Sequence, residues 1–238
     1  MTDISTHSWK SPSLGRTMKL NYYGTGGTPV LIFPSEEGNR NEWYDAGIID
    51  ALSEQIDEGY NQFFCVDSVA EESLLNREAD PGVRMQRHRQ YEKYIVDEVL
   101  PFIRKVNNNP YVIFSGAFLG AYYAMLHGLK YPGKADKVIA ISGNYNIKPY
   151  LDGFYDDNVY YNNPVDFFPN ITDPVFLKTI SSIDFRILSY SNDPQKNSSE
   201  QMSDALWLKN VDHNFYVWDE VISDPWELVD SMFKEHLF

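Results

Sequence analysis

The stretch VIFSGAFLGAYYAM, residues 112–125, opens as a short apolar run, turns at two glycines and continues with helical spacing. Apolar runs that end in small or polar residues read as strands buried on both faces by helices. A strand that turns into a helix between closely spaced glycines has the geometry that pushes one side chain out at the edge of a parallel sheet. Gly116, Phe118 and Gly120 take the three fixed positions of that G-x-S-x-G pattern, so the side chain presented is a phenylalanine. A phenyl ring cannot be deprotonated, and no acyl intermediate forms on it.

Six further runs flank this one: MKLNYYG, PVLIFPS, FFCVDSV, KVIAISG, FRILSYS and NFYVWDE. Between them NEWYDAGIIDALSEQID (41–57) and MQRHRQYEKYIVDEVLPFIRKV (85–106) carry apolar residues at three- and four-residue spacing, which predicts two amphipathic helices. Tyr91, Ile95, Val99 and Phe102 fall on one stripe of the second. GAYYAMLHGLKYPG stops at Pro132 and Gly133, SSEQMSDALWLKN opens on serines, and DPWELVDSMFKEHLF has Pro and acids in its first turn, so each reads as a helix. Strands alternating with helices predict an α/β fold on a mostly parallel sheet.

The length of 238 residues, with 43% hydrophobic and 15% aromatic content, suffices for one large core, and the chain reads as a single domain over 1–238. A net charge of −14 repels phosphate backbones and anionic lipid surfaces, which argues against nucleic acid and membrane partners. Cys65 is the sole cysteine, so it reads as a buried strand residue, and neither an internal disulfide nor a cysteine metal cluster is available. No leader-like or spanning segment is seen, which leads us to expect a cytoplasmic protein in which the sequons at Asn170 and Asn197 go unused.

One segment departs from the alternation: YLDGFYDDNVYYNNPVDFFPNITDP, 150–174, rich in aromatics, Asp and Asn. It reads as an ordered excursion over the upper edge of the sheet, either a contact surface or packed on its own domain. Asp152, Asp156 and Asp157 lack the spacing of a calcium loop, and no metal is expected.

At this point the chain resembles a family, the bacterial esterase group of α/β-hydrolases related to esterase D and to feruloyl or acetylxylan esterases. The likeness is carried by SPSLGRTMKL, VLIFPSEEGNRNEWYDAGIIDAL, FFCVDS, NREADPGVRMQRHRQYEKYIVDEVLPFI, the 150–174 segment and SDALWLKN, nearly the whole length. The resemblance implies a three-layer α/β-hydrolase fold of about eight strands and no cofactor. It places the nucleophile position at Phe118, the acid at Asp193 of SNDPQ, and the histidine position at Ser223 of VISDPWEL. Two of three triad members are then missing. It also implies an oxyanion hole of backbone amides, at Leu119 and near Ser35 or Glu36 of FPSEEGN, which side-chain changes need not abolish.

Replacements for the missing groups are few. His7, His88, His127, His213 and His236 are all the histidines, and none is expected at the elbow. Ser115 should point beneath the turn, whereas Ser35 lies near the hole without an evident base and beside the carboxylates of Glu36 and Glu37. The expected function is therefore a non-catalytic esterase-like protein that binds a small acyl or aromatic ligand or assembles with itself or a partner. The alternative is an active carboxylic ester hydrolase or acyltransferase using a rearranged site built on Ser35, Ser115 or Asp193.

Overall fold

The computed structural model describes residues 4–221, 224 and 226–237. Eight strands form one sheet: β1 (Ile4–Lys10), β2 (Thr17–Tyr23), β3 (Thr28–Phe33), β4 (Asn61–Val66), β5 (Ile113–Ala117), β6 (Lys137–Ile141), β7 (Asp184–Tyr190) and β8 (His213–Trp218). Their spatial order is β1-β2-β4-β3-β5-β6-β7-β8. The β1–β2 and β2–β4 pairs are antiparallel, and every pair from β4 through β8 is parallel. The seven apolar runs all became strands.

The central strands alternate between two cores, as a doubly covered sheet requires. Leu31, Phe33, Phe64 and Phe114 face a core completed by helix Pro81–Tyr94, helix Leu119–Lys130 and helix Lys196–Leu208. Val30, Ile32, Phe63 and Ile113 face a second core closed by Trp43, Ile48 and the Phe233 side of helix Trp226–Leu237. The register Phe33↔Gly116 and Ala117↔Ile141 brings the carboxyl ends of β3, β5 and β6 together. That edge is where the elbow sits.

Two expectations need correction. The helix expected over 41–57 is three short pieces, Glu42–Asp45, Ile48–Ala51 and Ser53–Asp57, because Gly47 adopts φ +77° and ends the first. Helix 85–106 starts earlier, at Pro81, where the Asp80 carboxylate accepts from the Gly82 and Val83 amides, and it passes through a π-turn at Ile95–Val99. Pro101 lacks the N–H that a regular helix would use there, which accounts for the irregular turn. The N-terminus carrying His7 is the edge strand β1, and His7 stacks on Phe102 with ring centroids 4.1 Å apart.

The 150–174 excursion is ordered and mostly packed inward: Leu151, Val159, Phe167 and Phe168 are buried, while Tyr155 and Tyr161 stay exposed. Its carboxylates do structural work. Asp152 pairs with the buried Arg84 at 2.5 Å, and the Asp156 carboxylate accepts from the Val159 amide at 2.9 Å. Among the described residues no cluster of side chains could hold a metal ion, and no helix is long and apolar enough to cross a membrane.

Candidate functional site

β5 ends at Ala117 and helix Leu119–Lys130 begins two residues later, so Phe118 turns the chain by itself. It does so at φ +57° and ψ −117°, a region that non-glycine residues avoid and that survives only where the surroundings impose it. The surroundings here are backbone. A Cβ on Gly116 would strike the Gly120 backbone, and one on Gly120 the Phe33 carbonyl oxygen, each closer than 3.0 Å. The Phe118 amide is held by the Ile141 carbonyl at 2.9 Å.

Gly120→Ala is accordingly expected to cost about 2–3 kcal/mol, since the obstructing atom is main chain and cannot rotate away. For a chain of this size that is a fall of about 5–10 °C in Tm. Thermal denaturation followed by circular dichroism checks it; an unchanged Tm would mean that the turn tolerates a side chain.

The Phe118 ring is half-buried and meets Trp226 edge-on, ring centroids 5.4 Å apart at 79°. Both rings lie on the second core. The apex of the turn is thus an aromatic pair.

The amide that follows the apex is not open. Leu119 N–H donates to the Glu36 carboxylate at 3.4 Å, and that carboxylate also takes the Glu36 backbone N–H. Burial pushes the Glu36 carboxyl above the ordinary glutamate range, while these two amides act in the opposite sense. The backbone N–H groups of Leu119 and Glu36 thus both point at one carboxylate of the chain itself.

Ser35 has a partner that sequence reading missed. Its hydroxyl donates to Glu42 Oε1 and its amide to Glu42 Oε2, the latter at 2.9 Å. Burial raises the Glu42 carboxyl too. Gly38 makes room for this contact, because any Cβ there would collide with the Glu42 carboxylate. The spacing of seven residues between Ser35 and Glu42 was the only available signal. A cavity of about 460 Å³ opens beside Glu36, with Arg40 held on Asp67 at 3.0 Å and Arg16 paired with Glu72 in its walls.

Asp193 is buried and fully engaged. Its carboxylate accepts from Ser142 Oγ at 2.7 Å, Ser189 Oγ at 2.7 Å and the Gln195 amide at 2.8 Å. These ties join the ends of β6 and β7, and Ser142 is itself held at φ +51°. Ser223 lies outside the described residues. Ser115 points beneath the turn, its hydroxyl on the Ile139 carbonyl at 2.8 Å.

The histidines are all accounted for elsewhere. His127 Nδ1 donates to the Tyr123 carbonyl at 2.8 Å, and His88 Nε2 lies 3.1 Å from the Tyr122 hydroxyl, both fully buried. His213 Nε2 accepts from Ser203 Oγ at 2.7 Å at the opposite edge of the sheet, and His236 is buried beside Arg186.

A sheet of this order, with the elbow after the central strand β5 and helices on both faces, defines the α/β-hydrolase fold. Within it, the family model described as "Putative esterase" matches residues 11–237, and the chain belongs to that family. Solved structures agree on the fold. A ferulic acid esterase superposes with a TM-score of 0.73 at 15% identity, covering 100% of this chain and 97% of its own. An S-formylglutathione hydrolase from Staphylococcus aureus gives 0.72 at 13%, covering 98% and 95%. Another from Agrobacterium tumefaciens gives 0.76 at 12%, covering 98% and 92%. No curated protein matches the chain.

Proposed function

We propose that this chain is a non-catalytic member of the esterase family whose elbow and amide pair serve as a binding site for a small acyl or aromatic ligand. The observation that carries this reading is the joint state of the apex: a phenylalanine at the turn and a carboxylate on the amide behind it. The first removes the nucleophile that the family's covalent route needs. The second puts negative charge where an oxyanion would develop, which opposes the transition state instead of stabilising it.

Asp193 then acts as a clamp, with no proton to relay, since its carboxylate is spent on two hydroxyls and an amide. The position aligned with the family's histidine, Ser223, offers a hydroxyl in place of an imidazole. The ring pair Phe118–Trp226 supplies an apolar edge for a ligand ring, and Leu119 N–H can exchange Glu36 for a ligand carbonyl or carboxylate.

One observation favours a second reading. Ser35 is hydrogen-bonded to a half-buried carboxylate whose pKa is raised, the arrangement of a serine beside a general base. In that reading Ser35 Oγ adds to an ester carbonyl while Glu42 takes its proton and returns it to the departing alkoxide, and water then hydrolyses the acyl-serine.

Hydrolysis of a short-chain nitrophenyl ester separates the two. The expected result is a rate no greater than that of the denatured protein, and unchanged in Ser35→Ala and Asp193→Ala. Turnover that disappears in folded Ser35→Ala would overturn the non-catalytic reading in favour of the Ser35–Glu42 pair. Turnover lost only in Asp193→Ala would return that carboxylate to chemistry.

A further inference from the structure

Two contiguous cavities, of about 360 and 470 Å³, run along helix Pro81–Tyr94 where it faces residues 157–162 of the excursion. Both are lined by Arg89, Lys93 and Asn158. In a protein of net charge −14, this helix carries four cations, Arg84, Arg87, Arg89 and Lys93, against one acid, Glu92.

Most carboxylates nearby are already taken. Arg84 pairs with Asp152 and Arg87 with Glu72. Glu92 is buried and receives both Lys130 Nζ and the Tyr131 hydroxyl, so the floor of the smaller cavity is neutralised from within. Lys130 also donates to Asn162 Oδ1 at 3.0 Å, and its neutral environment is closed. Asp157 stands in the wall of the smaller cavity and pairs with neither Arg89 nor Lys93, and the larger cavity has no carboxylate in its walls.

That leaves Arg89 and Lys93 as cations without an acid partner among the described residues. They sit four residues apart on one helix face, where like charges repel and destabilise the helix. Arg89 is held in place by one N–H to Asn158 Oδ1 at 2.7 Å, leaving the rest of its donor fork unspent. A guanidinium so anchored, beside an ammonium, matches the oxyanion of a phosphate group, which accepts several hydrogen bonds and cancels the repulsion. On the far side of the pair the smaller cavity continues to the exposed ring of Tyr161 and to Tyr131.

We propose that this cleft binds a small aromatic phosphate monoester, the phosphate between Arg89 and Lys93 and the ring against Tyr161. The overall negative charge keeps long polyanions away, which confines recognition to a small molecule that enters the cleft. This site is separate from the elbow and stands whether or not the elbow is catalytic.

Isothermal titration of the full chain with phenyl phosphate, and with inorganic phosphate alongside, tests it. Saturable one-to-one binding with Kd below about 1 mM is expected for phenyl phosphate, weaker for inorganic phosphate. Arg89→Ala/Lys93→Ala, both exposed positions, should lose at least about tenfold in affinity while keeping the wild-type circular dichroism. Lys10→Ala/Lys105→Ala makes the same change in net charge on another face and should bind as the wild type does. Absence of saturable binding, or equal loss in both double variants, would overturn the proposal. Equal affinity for the two phosphates would overturn the aromatic part of it.

Discussion

Acidification from about pH 7.5 to 5.5 is expected to remove about 2.7 kcal/mol of folding stability, through two histidines that stay neutral in the native protein. Burial lowers His88 from 6.5 to about 3 and His127 from 6.5 to about 4. The geometry says why. The Tyr122 hydroxyl gives its proton to the Asn162 carbonyl at 2.8 Å, so His88 Nε2 must donate to the Tyr122 oxygen, and His88 Nδ1 is left as a bare lone pair with no partner. His127 spends Nδ1–H on Tyr123, and its Nε2 lies unpartnered with the ring stacked on Phe33 at 5.1 Å. A proton added to either nitrogen would be buried without an acceptor. Glu92, the one carboxylate that favours the charged ring, is already neutralised by Lys130.

The sign follows from proton counting. Below 6.5 the unfolded chain protonates both rings and the native protein does not until near 4 and 3, so the unfolded state binds more protons and stability falls as the pH falls. The contribution is fully present above 6.5 and is lost progressively toward the native values near 4 and 3. His236, also lowered by burial, acts in the same direction. Glu36 and Glu42 act oppositely, because their native pKa values are raised and protonation favours the fold as pH falls. Their window lies between the raised native values and the 4.5 of the unfolded chain, so they offset part of the histidine loss, and the comparison with the double histidine variant isolates the histidine share. Urea midpoints across this range, for wild type and for His88→Gln/His127→Gln, measure the result. The double variant should be less stable at neutral pH but should lose most of the slope. A wild type flat over this interval would show that the two rings take up protons without unfolding.

The legible parts of the molecule were those where one local rule decides. Continuous apolar runs such as PVLIFPS and KVIAISG became doubly buried parallel strands because nothing but a covered sheet accommodates them. The elbow was legible from Gly116, Phe118 and Gly120, since only that spacing lets backbone meet backbone. β1 was missed because ISTHSWK is an exposed antiparallel edge with no apolar run to announce it. The 41–57 helix was over-extended because apolar periodicity continues through Gly47 while the backbone does not. The Glu36 contact was out of reach. EE in a loop reads as two solvated acids, and the direction in which Glu36 folds is set by an amide 83 residues away. The same holds for Ser35 and Glu42, a pair made by the sharp return of the chain after β3.

The contact between Glu36 and Leu119 makes reversion of the elbow a two-layer problem. Phe118→Ser combined with Ser223→His restores the family's residue types at the positions that the resemblance assigns, with Asp193 already present. By itself that double change is expected to yield little turnover, because the amide that should stabilise a tetrahedral oxyanion still carries the Glu36 carboxylate. An oxyanion developing beside a fixed anion is penalised, and the donor is already spent. Adding Glu36→Ala removes the carboxylate and keeps both backbone amides. Since one such donor is worth about 10²–10³ in kcat, the triple variant should exceed the double by about that factor on a short-chain nitrophenyl ester. The same step predicts a KM-independent gain: the freed amide acts on the transition state, so kcat should carry the change. Glu36→Ala alone should stay inactive, since Phe118 remains at the apex. Equal rates for the folded double and triple variants would show that the Glu36 carboxylate leaves the hole when an ester arrives, and that the apex alone sets the activity of this fold.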